Sequence, residues 1–215
     1  MTKVKICGLT REEDIFAVNE CLPEYVGFVF AEASRRKVSV EQAQILSNRL
    51  KPAIISVGVF VDQELDMVAR CLSLGIIQMA QLHGREDAAY LAALREKTGK
   101  PVIRAVRADV ARLDFRPAAG ADYLLFDSGA GGTGISFDWQ TVQNITKPFF
   151  LAGGITPDNV EQALAEVHPF AVDVSSGVET DGYKDGEKIY RLIRRVRRWN
   201  EGGMASTADS IFPKR

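Results

Sequence analysis

"FFLAGGITPDNVEQALAEVHPFAVDVSS" (residues 149–176) contains an apolar run, a glycine turn, a helix-period stretch and a second apolar run. The two runs, 149–154 and 171–176, are predicted strands. Pro157 follows Thr156 at an expected first helical position, where the missing N–H of proline costs nothing. Apolar strands joined by a helix are typical of a parallel sheet that is covered on its outer face. The stretch therefore predicts one βαβ unit.

The same alternation extends over most of the chain. Eight predicted strands with seven helical patterns between them indicate the α/β class and a single (β/α)₈ TIM barrel over residues 1–199. In residues 108–121 a proline and a glycine leave the fifth helix weak or missing. Residues 200–215 are small and polar, and we expect them to form a disordered tail outside the barrel. The other six strands are predicted at 4–7, 25–30, 54–60, 76–82, 101–106 and 123–126.

Two helix starts carry their own signals. Thr10 precedes a helix-period stretch and has Glu13 three positions on, which is the spacing of a capping box. Ser39 precedes another such stretch, with Gln42 three positions on. Both residues are therefore predicted N-caps.

The composition limits the classes of partner and the cellular compartment that we expect for this chain. The chain has 215 residues, a formal net charge of -1 and 3 Cys. Near-zero charge gives no reason to expect a nucleic acid or membrane partner, and an odd number of irregularly spaced cysteines fits a reducing compartment. Because the chain enters a predicted strand at once, we expect no signal peptide, and its two histidines suggest no metal-ligand cluster. We expect a cytoplasmic protein without a metal.

Glycine and hydroxyl residues follow the last two strands, where barrels often bind phosphate. The turns are "AGGIT" (152–156), with Gly153 and Gly154, and "SSG" (175–177), with Ser175, Ser176 and Gly177. Their backbone N–H groups can approach an anion closely, although such turns are also ordinary tight connections. "GAGGTG" (129–134) follows the sixth strand and is either a lid or a further wall of N–H donors.

Charged residues stand at the same predicted face. Asp127 ends the sixth strand and is either an acid or base or a cap for the next turn. Arg36 lies in the loop after the second strand, where a guanidinium can hold a carboxylate at two points. The residues by themselves do not separate Arg36 from Arg35.

Cys7 in "KICGLT" (5–10) closes the first strand at this face, whereas Cys21 and Cys71 fall in helical patterns and are predicted core thiols. Strand alternation places Lys5 on the same side as Cys7. A lysine charge there would favour the thiolate, so the sequence predicts an accessible Cys7 with a lowered pKa. His168 precedes the eighth strand at the opposite face and is predicted to be structural.

Seven motifs in order make the chain similar to the phosphoribosylanthranilate isomerase family, from about residue 3 to 199. The resemblance implies a barrel enzyme of tryptophan biosynthesis, an aromatic amino-acid pathway. Such an enzyme converts N-(5-phosphoribosyl)anthranilate to 1-(2-carboxyphenylamino)-1-deoxyribulose 5-phosphate by an Amadori rearrangement, without a cofactor. The motifs are "KICGLT", "SRRKV", "VGVFV", "QLHG", "FDSGAGGTGISFDW", "LAGGITPDNV" and "VDVSSGVETDGYKDGEKI".

The resemblance also implies roles for individual residues. Cys7 would be the general base, Asp127 the general acid and Arg36 the ligand of the anthranilate carboxylate, while Asp173 would orient the substrate. Gly8 would let the substrate come close to Cys7. The phosphate would bind at Gly153, Gly154, Ser175, Ser176 and Gly177, with Gly132 and Thr133 nearby.

Two other functions stay open at this point. A histidine-pathway isomerase of imidazole ribonucleotides resembles this chain but uses an aspartate where Cys7 stands, and an enzyme with both activities is an extension of that alternative. The other is a phosphate-ligand binding barrel without catalysis, which the presence of Cys7, Asp127 and Arg36 together disfavours. The sequence leaves open whether the chain is a monomer or a homodimer.

Overall fold

Eight parallel strands form a closed barrel in the order of the chain, which confirms the predicted fold class. The computed structural model describes residues 1–107, 118–127 and 139–202. Every strand pairs with its sequence neighbours, and β1 pairs with β8 to close the barrel. The strands are β1 Lys3–Cys7, β2 Tyr25–Val29, β3 Ile55–Phe60, β4 Met79–Leu82, β5 Val102–Arg107, β6 Tyr123–Asp127, β7 Phe149–Leu151 and β8 Ala171–Val174.

Helices cover the outer face of the barrel. The described residues form α1 Glu12–Cys21, α2 Val40–Ser47, α3 Leu65–Ser73, α4 Ala88–Thr98, α5 Val160–Val167 and α6 Gly186–Asn200. A short antiparallel hairpin, β9 Glu179–Thr180 and β10 Tyr183–Lys184, lies between β8 and α6. Within the described residues, no helix has both the length and the apolar character needed to span a bilayer.

The helical pattern between β6 and β7 differs from the prediction. Its described residues form a 3₁₀ helix over Trp139–Val142 instead of an α-helix. Thr141 and Val142 are β-branched and Pro148 follows closely, so the segment has low helix propensity. The predicted weakness of the fifth helix falls mainly on residues 108–117, which lie outside the described residues, as do residues 203–215 of the predicted tail.

The predicted start of α1 is displaced by one residue, whereas the predicted start of α2 is confirmed. Arg11, one residue later than Thr10, occupies the N-cap position of α1 without a capping bond from its side chain. Asp14 takes the role expected of Glu13 by accepting from the backbone N–H of Arg11 at 3.0 Å. The shift occurs because the buried Asp14 carboxylate also accepts from the N–H of Thr10, at 2.9 Å. Ser39 is confirmed as an N-cap through its bond from the N–H of Gln42.

Pro157 is not the first residue of α5, which begins at Val160. The side chain of Asn159 accepts from the N–H of Thr156 at 2.8 Å and donates to the carbonyl of Gly154 at 2.8 Å. These bonds close a turn around the proline, so the helix starts only after them. The turn holds the end of β7 in a defined position.

The lower part of the barrel interior is filled, and a cavity opens above it. A buried layer closes the barrel beneath the carboxyl ends of the strands, with the rings of Tyr25 and Phe150 in edge contact at 5.4 Å. Above this layer, Cys7 packs against Val29 and Val59. Since side chains of alternate residues point inward, residues 5 and 7 of β1 both face the interior. The inner layer comprises Tyr25, Val57, Met79, Ile103, Leu125, Phe150, Ala152 and Ala171.

Candidate active site

A cavity of about 390 Å³ lies at the carboxyl ends of the strands. This is the face at which barrel enzymes carry their active sites. The predicted residues Gly132 and Thr133 lie outside the described part of the chain. The other predicted site residues all line the cavity: Cys7, Arg36, Asp127, Gly153, Gly154, Asp173, Ser175, Ser176 and Gly177.

Cys7 is buried, with 8% of its surface exposed, and is therefore less accessible than the sequence predicted. Burial raises the pKa of its thiol, and the nearby Lys5 only partly opposes that increase. The predicted lowering of the Cys7 pKa is therefore wrong. Cys21 and Cys71 are buried, as predicted, and burial raises the pKa of Cys21 to about 11 and also raises that of Cys71.

The ion pair of Lys5 with Asp173 explains why Lys5 does not lower the pKa of the Cys7 thiol below its ordinary value. Its Nζ donates to both carboxylate oxygens of Asp173, each at 2.9 Å, and its side chain is fully buried. Burial alone would lower the pKa of Lys5, but the charges of Asp173 and Cys7 outweigh burial and raise it. The lysine is therefore a fixed cation buried beneath Cys7, and Asp173 balances most of its charge.

Asp127 ends β6 beside a histidine that received no role from the sequence. Nε2 of His83 lies 3.7 Å from Oδ2 of Asp127, and its Nδ1 lies 3.5 Å from Nε2 of Gln81. Burial lowers the pKa of His83 although Asp127 opposes the change, so the imidazole is neutral near pH 7. The motif "QLHG" lies at the end of β4, and this position could have predicted that Gln81 and His83 line the cavity.

Arg36 and Arg35 are distinguished by their surroundings. Arg35 is exposed, whereas the guanidinium of Arg36 is largely buried and pairs with Glu179 at two points, each 2.7 Å long. Lys184 also donates to the Glu179 carboxylate. Sequence reasoning missed Glu179 and Lys184. The Asp-Gly pair within "VETDGYKD" was their signal, because it is typical of a hairpin that brings flanking residues together.

Gly8 accommodates the side chain of Arg36, a contact that the sequence did not predict. A Cβ at this position would lie 2.5 Å from Cδ of Arg36, and the backbone has φ +83°. Because Gly8 has no side chain, the aliphatic part of the Arg36 side chain can pass across the end of β1. This contact joins the loop after β2 to the strand that carries Cys7.

The two glycine turns touch each other. A Cβ at Gly177 would collide with the carbonyl oxygen of Ile155, so the turn after β8 packs directly on the turn after β7. Gly153 and Gly154 both have positive φ, at 81° and 69°. Adjacent turns of this kind can direct several backbone N–H groups into one concave site, which is suited to an anion.

Comparisons with known proteins agree with this arrangement. A family model described as N-(5'-phosphoribosyl)anthranilate (PRA) isomerase matches residues 4–195. The curated N-(5'-phosphoribosyl)anthranilate isomerase of Endomicrobium trichonymphae is 43% identical over 201 residues, covering 92% of this chain and 99% of that protein.

Two solved structures extend the similarity to the fold. One is a phosphoribosyl anthranilate isomerase in complex with reduced 1-(o-carboxyphenylamino)-1-deoxyribulose 5-phosphate, with 35% identity, TM-score 0.76 and coverage of 92% of this chain and 99% of that one. The other shows monomers generated from the dimeric enzyme of Thermotoga maritima, with 35% identity, TM-score 0.80 and the same coverage. By sequence and by fold, this chain belongs to the N-(5'-phosphoribosyl)anthranilate isomerase family.

Proposed function

We propose that the chain catalyses the Amadori rearrangement of N-(5'-phosphoribosyl)anthranilate to 1-(2-carboxyphenylamino)-1-deoxyribulose 5-phosphate in tryptophan biosynthesis. The main support is that Cys7 and Asp127 line one cavity from β1 and β6. β7 and β8 separate those strands on one side and β2–β5 on the other. A base and an acid so placed can act on opposite sides of a small sugar.

In this proposal the reaction begins with Asp127. Its carboxyl group donates a proton to the ring oxygen of the ribose, the C1–O bond breaks, and the nitrogen lone pair forms a protonated Schiff base. That cation makes the proton on C2 acidic. The Cys7 thiolate removes this proton, and the electron pair moves to the nitrogen to give an enolamine, which tautomerises to the ketone product. The substrate nitrogen accepts the electrons, so the proposed steps need no cofactor.

The raised pKa of Cys7 is compatible with this role. A thiolate of higher pKa is less abundant at neutral pH, but it is a stronger base once formed. Lys5 supplies a positive charge beside it, and the Schiff base would add a second one. The phosphate of the substrate would bind at Gly153, Gly154, Ser175, Ser176 and Gly177, with Gly132 and Thr133 as further proposed contacts. Arg36 would bind the carboxylate and Asp173 would orient the sugar.

The test is a spectroscopic turnover assay with freshly prepared phosphoribosylanthranilate. We expect saturable turnover by the purified chain without added metal or cofactor. Binding of the reduced product analogue without turnover would instead indicate a binding barrel. Turnover of an imidazole ribonucleotide substrate in place of the anthranilate compound would indicate the histidine-pathway reaction.

The compartment and the assembly state stay predictions. We propose a cytoplasmic location because an odd number of irregularly spaced cysteines fits a reducing compartment. The dimeric relative makes a homodimer as reasonable as a monomer for this chain. Light scattering coupled to size-exclusion chromatography at assay concentrations distinguishes the two.

A further inference from the structure

The hairpin β9–β10 brings two charged residues next to Arg36 and Ser175, which line the cavity. Asp181 and Gly182 form its turn with φ of 53° and 82°, the left-handed pair that a two-residue hairpin requires. The pairing places Glu179 directly opposite Lys184. The Lys184 side chain is almost fully buried, and its Nζ also donates to the carbonyl oxygen of Ser175 at 3.2 Å. The hairpin is thereby tied to the turn that follows β8.

Glu179 forms a two-point ion pair with Arg36. Nε donates to Oε1 and Nη2 donates to Oε2, each at 2.7 Å, and the two side chains are 14% and 8% exposed. Burial alone would raise the pKa of Glu179, but the hydrogen bonds from Arg36 and Lys184 outweigh burial and lower it. The carboxylate is therefore ionised near neutral pH.

The two residues of this ion pair lie differently relative to the cavity. Arg36 is among the described residues that line the cavity, whereas Glu179 is not. Glu179 occupies the Nε–Nη2 edge of the guanidinium, and no side chain or carbonyl in the described part of the chain accepts from Nη1. Arg36 and Lys184 bring two positive charges and Glu179 one negative charge, so the cluster keeps a net positive charge toward an anion.

We propose that Glu179 is a positioning residue that holds Arg36 in the orientation in which it binds the carboxylate of the substrate. The inference rests on the proposed function, in which Arg36 is the carboxylate ligand. An arginine side chain has many rotamers, and an ion pair formed before binding removes that entropy cost from the binding step. Glu179 acts through Arg36 and has no contact of its own with the substrate.

The experiment compares two ligands in the full-length chain. One is the reduced product analogue with its carboxylate, and the other is the same compound with a phenyl ring that lacks the carboxylate. Glu179→Gln keeps the shape of the side chain but removes its charge. We expect it to weaken binding of the carboxylate ligand by about tenfold or more, the size expected for loss of a charge-assisted contact. Binding of the phenyl ligand should change less than about twofold.

Glu32→Gln is the matched control. Glu32 lies in the same loop as Arg36 but is exposed and pairs only at the surface with Lys37. Such pairs contribute little, so both ligands should bind this variant as they bind the unmodified chain. In steady-state assays, Glu179→Gln should raise KM much more than it lowers kcat.

A double variant tests whether Glu179 acts through Arg36. Once Arg36→Met has removed the guanidinium, adding Glu179→Gln should cause no further loss of affinity for the carboxylate ligand. Equal losses for both ligands would show a general structural role and overturn the proposal. Tighter binding of the carboxylate ligand would overturn it too, because Glu179 would then be a competitor for Arg36.

Two features keep the test decisive. The ratio of the two affinities is measured on the folded fraction, so partial unfolding of a variant does not change it. The unmodified chain also separates the two proposals. A chain that lacks turnover but still prefers the carboxylate ligand contradicts the proposed function, while the Glu179 comparison can still be made.

Discussion

The ammonium group of Lys5 donates to both carboxylate oxygens of Asp173 at 2.9 Å, deep inside the barrel and directly below Cys7. The pair joins the first and the last strand of the barrel. Asp173 cancels much of the field that Lys5 would otherwise exert on the thiol. Burial therefore dominates, and the pKa of Cys7 is raised instead of lowered.

Alkylation of Cys7 should be slow at pH 7. The sign follows from the raised pKa: the thiolate fraction is below that of an ordinary cysteine, whose pKa is ~8.5. The rate with iodoacetamide should increase about tenfold per pH unit and continue to increase above pH ~8.5. Activity should be lost in parallel, and the product analogue should protect. Peptide mapping gives the rate at each cysteine.

Cys21 and Cys71 are the internal controls for this measurement. Both are buried on helices, whereas the thiol of Cys7 lines an open cavity, so Cys7 should be labelled first. Labelling of either helical cysteine in step with the loss of activity would contradict the assignment of Cys7 as the base. A rate plateau well below pH 8 would contradict the raised pKa.

Asp173→Asn should lower the pKa of Cys7. The negative charge of Asp173 disfavours the thiolate, and its removal leaves the charge of Lys5 less balanced. The alkylation profile should therefore move to lower pH, even though turnover falls because the proposed sugar contact is lost. A profile that moves to higher pH would show that Lys5 has lost its proton in the variant.

Asp127→Asn should lower kcat by about 10²- to 10⁴-fold, since it keeps the shape of the side chain but removes the proposed proton donor. Affinity for the reduced product analogue should change little. Asp122→Asn is the control, because Asp122 lies just before the opposite end of β6 and pairs with Arg95 away from the cavity. Turnover of Asp127→Asn close to that of the control would remove Asp127 from the mechanism.

Arg36→Met should raise KM by about tenfold or more, because a charge-assisted hydrogen bond to the substrate carboxylate contributes ~1.5–3 kcal/mol. Arg35→Met is the adjacent control and should have a small effect, since Arg35 is exposed. Steady-state kinetics of both variants provide the check. The reverse pattern would place the carboxylate ligand one position earlier.

Gly154→Val should abolish competition by inorganic phosphate or sulfate in the turnover assay. A branched side chain blocks the approach of an anion to the backbone N–H groups of this turn. Gly75→Val is the control for backbone strain, because Gly75 has φ +70°, close to the +69° of Gly154, but lies in open space between α3 and β4. Equal loss of competition in both variants would argue against the phosphate site.

The local sequence pattern was sufficient to predict the strands and the end of the barrel at which the site lies. Near-continuous apolar runs such as 54–60, alternating with helical patterns, are typical of a parallel sheet with covered faces, and eight of them fit a closed barrel. Parallel strands all end at the same rim, so residues that follow different strands, such as Cys7 and Asp127, had to meet there. The helix starts were predicted less accurately. Asp14 and Asn159 form hydrogen bonds with the backbone of Thr10 and Gly154, and these bonds place the starts of α1 and α5 later than the local sequence indicated.

The sequence by itself indicated the barrel and the strand ends that form the cavity, since these depend on strand periodicity. Its motifs carried the family resemblance, and that resemblance singled out Arg36 and Asp173. Only the tertiary structure decided the charge pairs and the state of the thiol. Lys5 and Asp173 are 168 positions apart, and Arg36 and Glu179 are 143 apart, so their contacts exist only once the barrel has closed. The pKa of Cys7 depends on the balance between desolvation and the charges of Lys5 and Asp173. Only the closed barrel buries the thiol and brings Asp173 to Lys5.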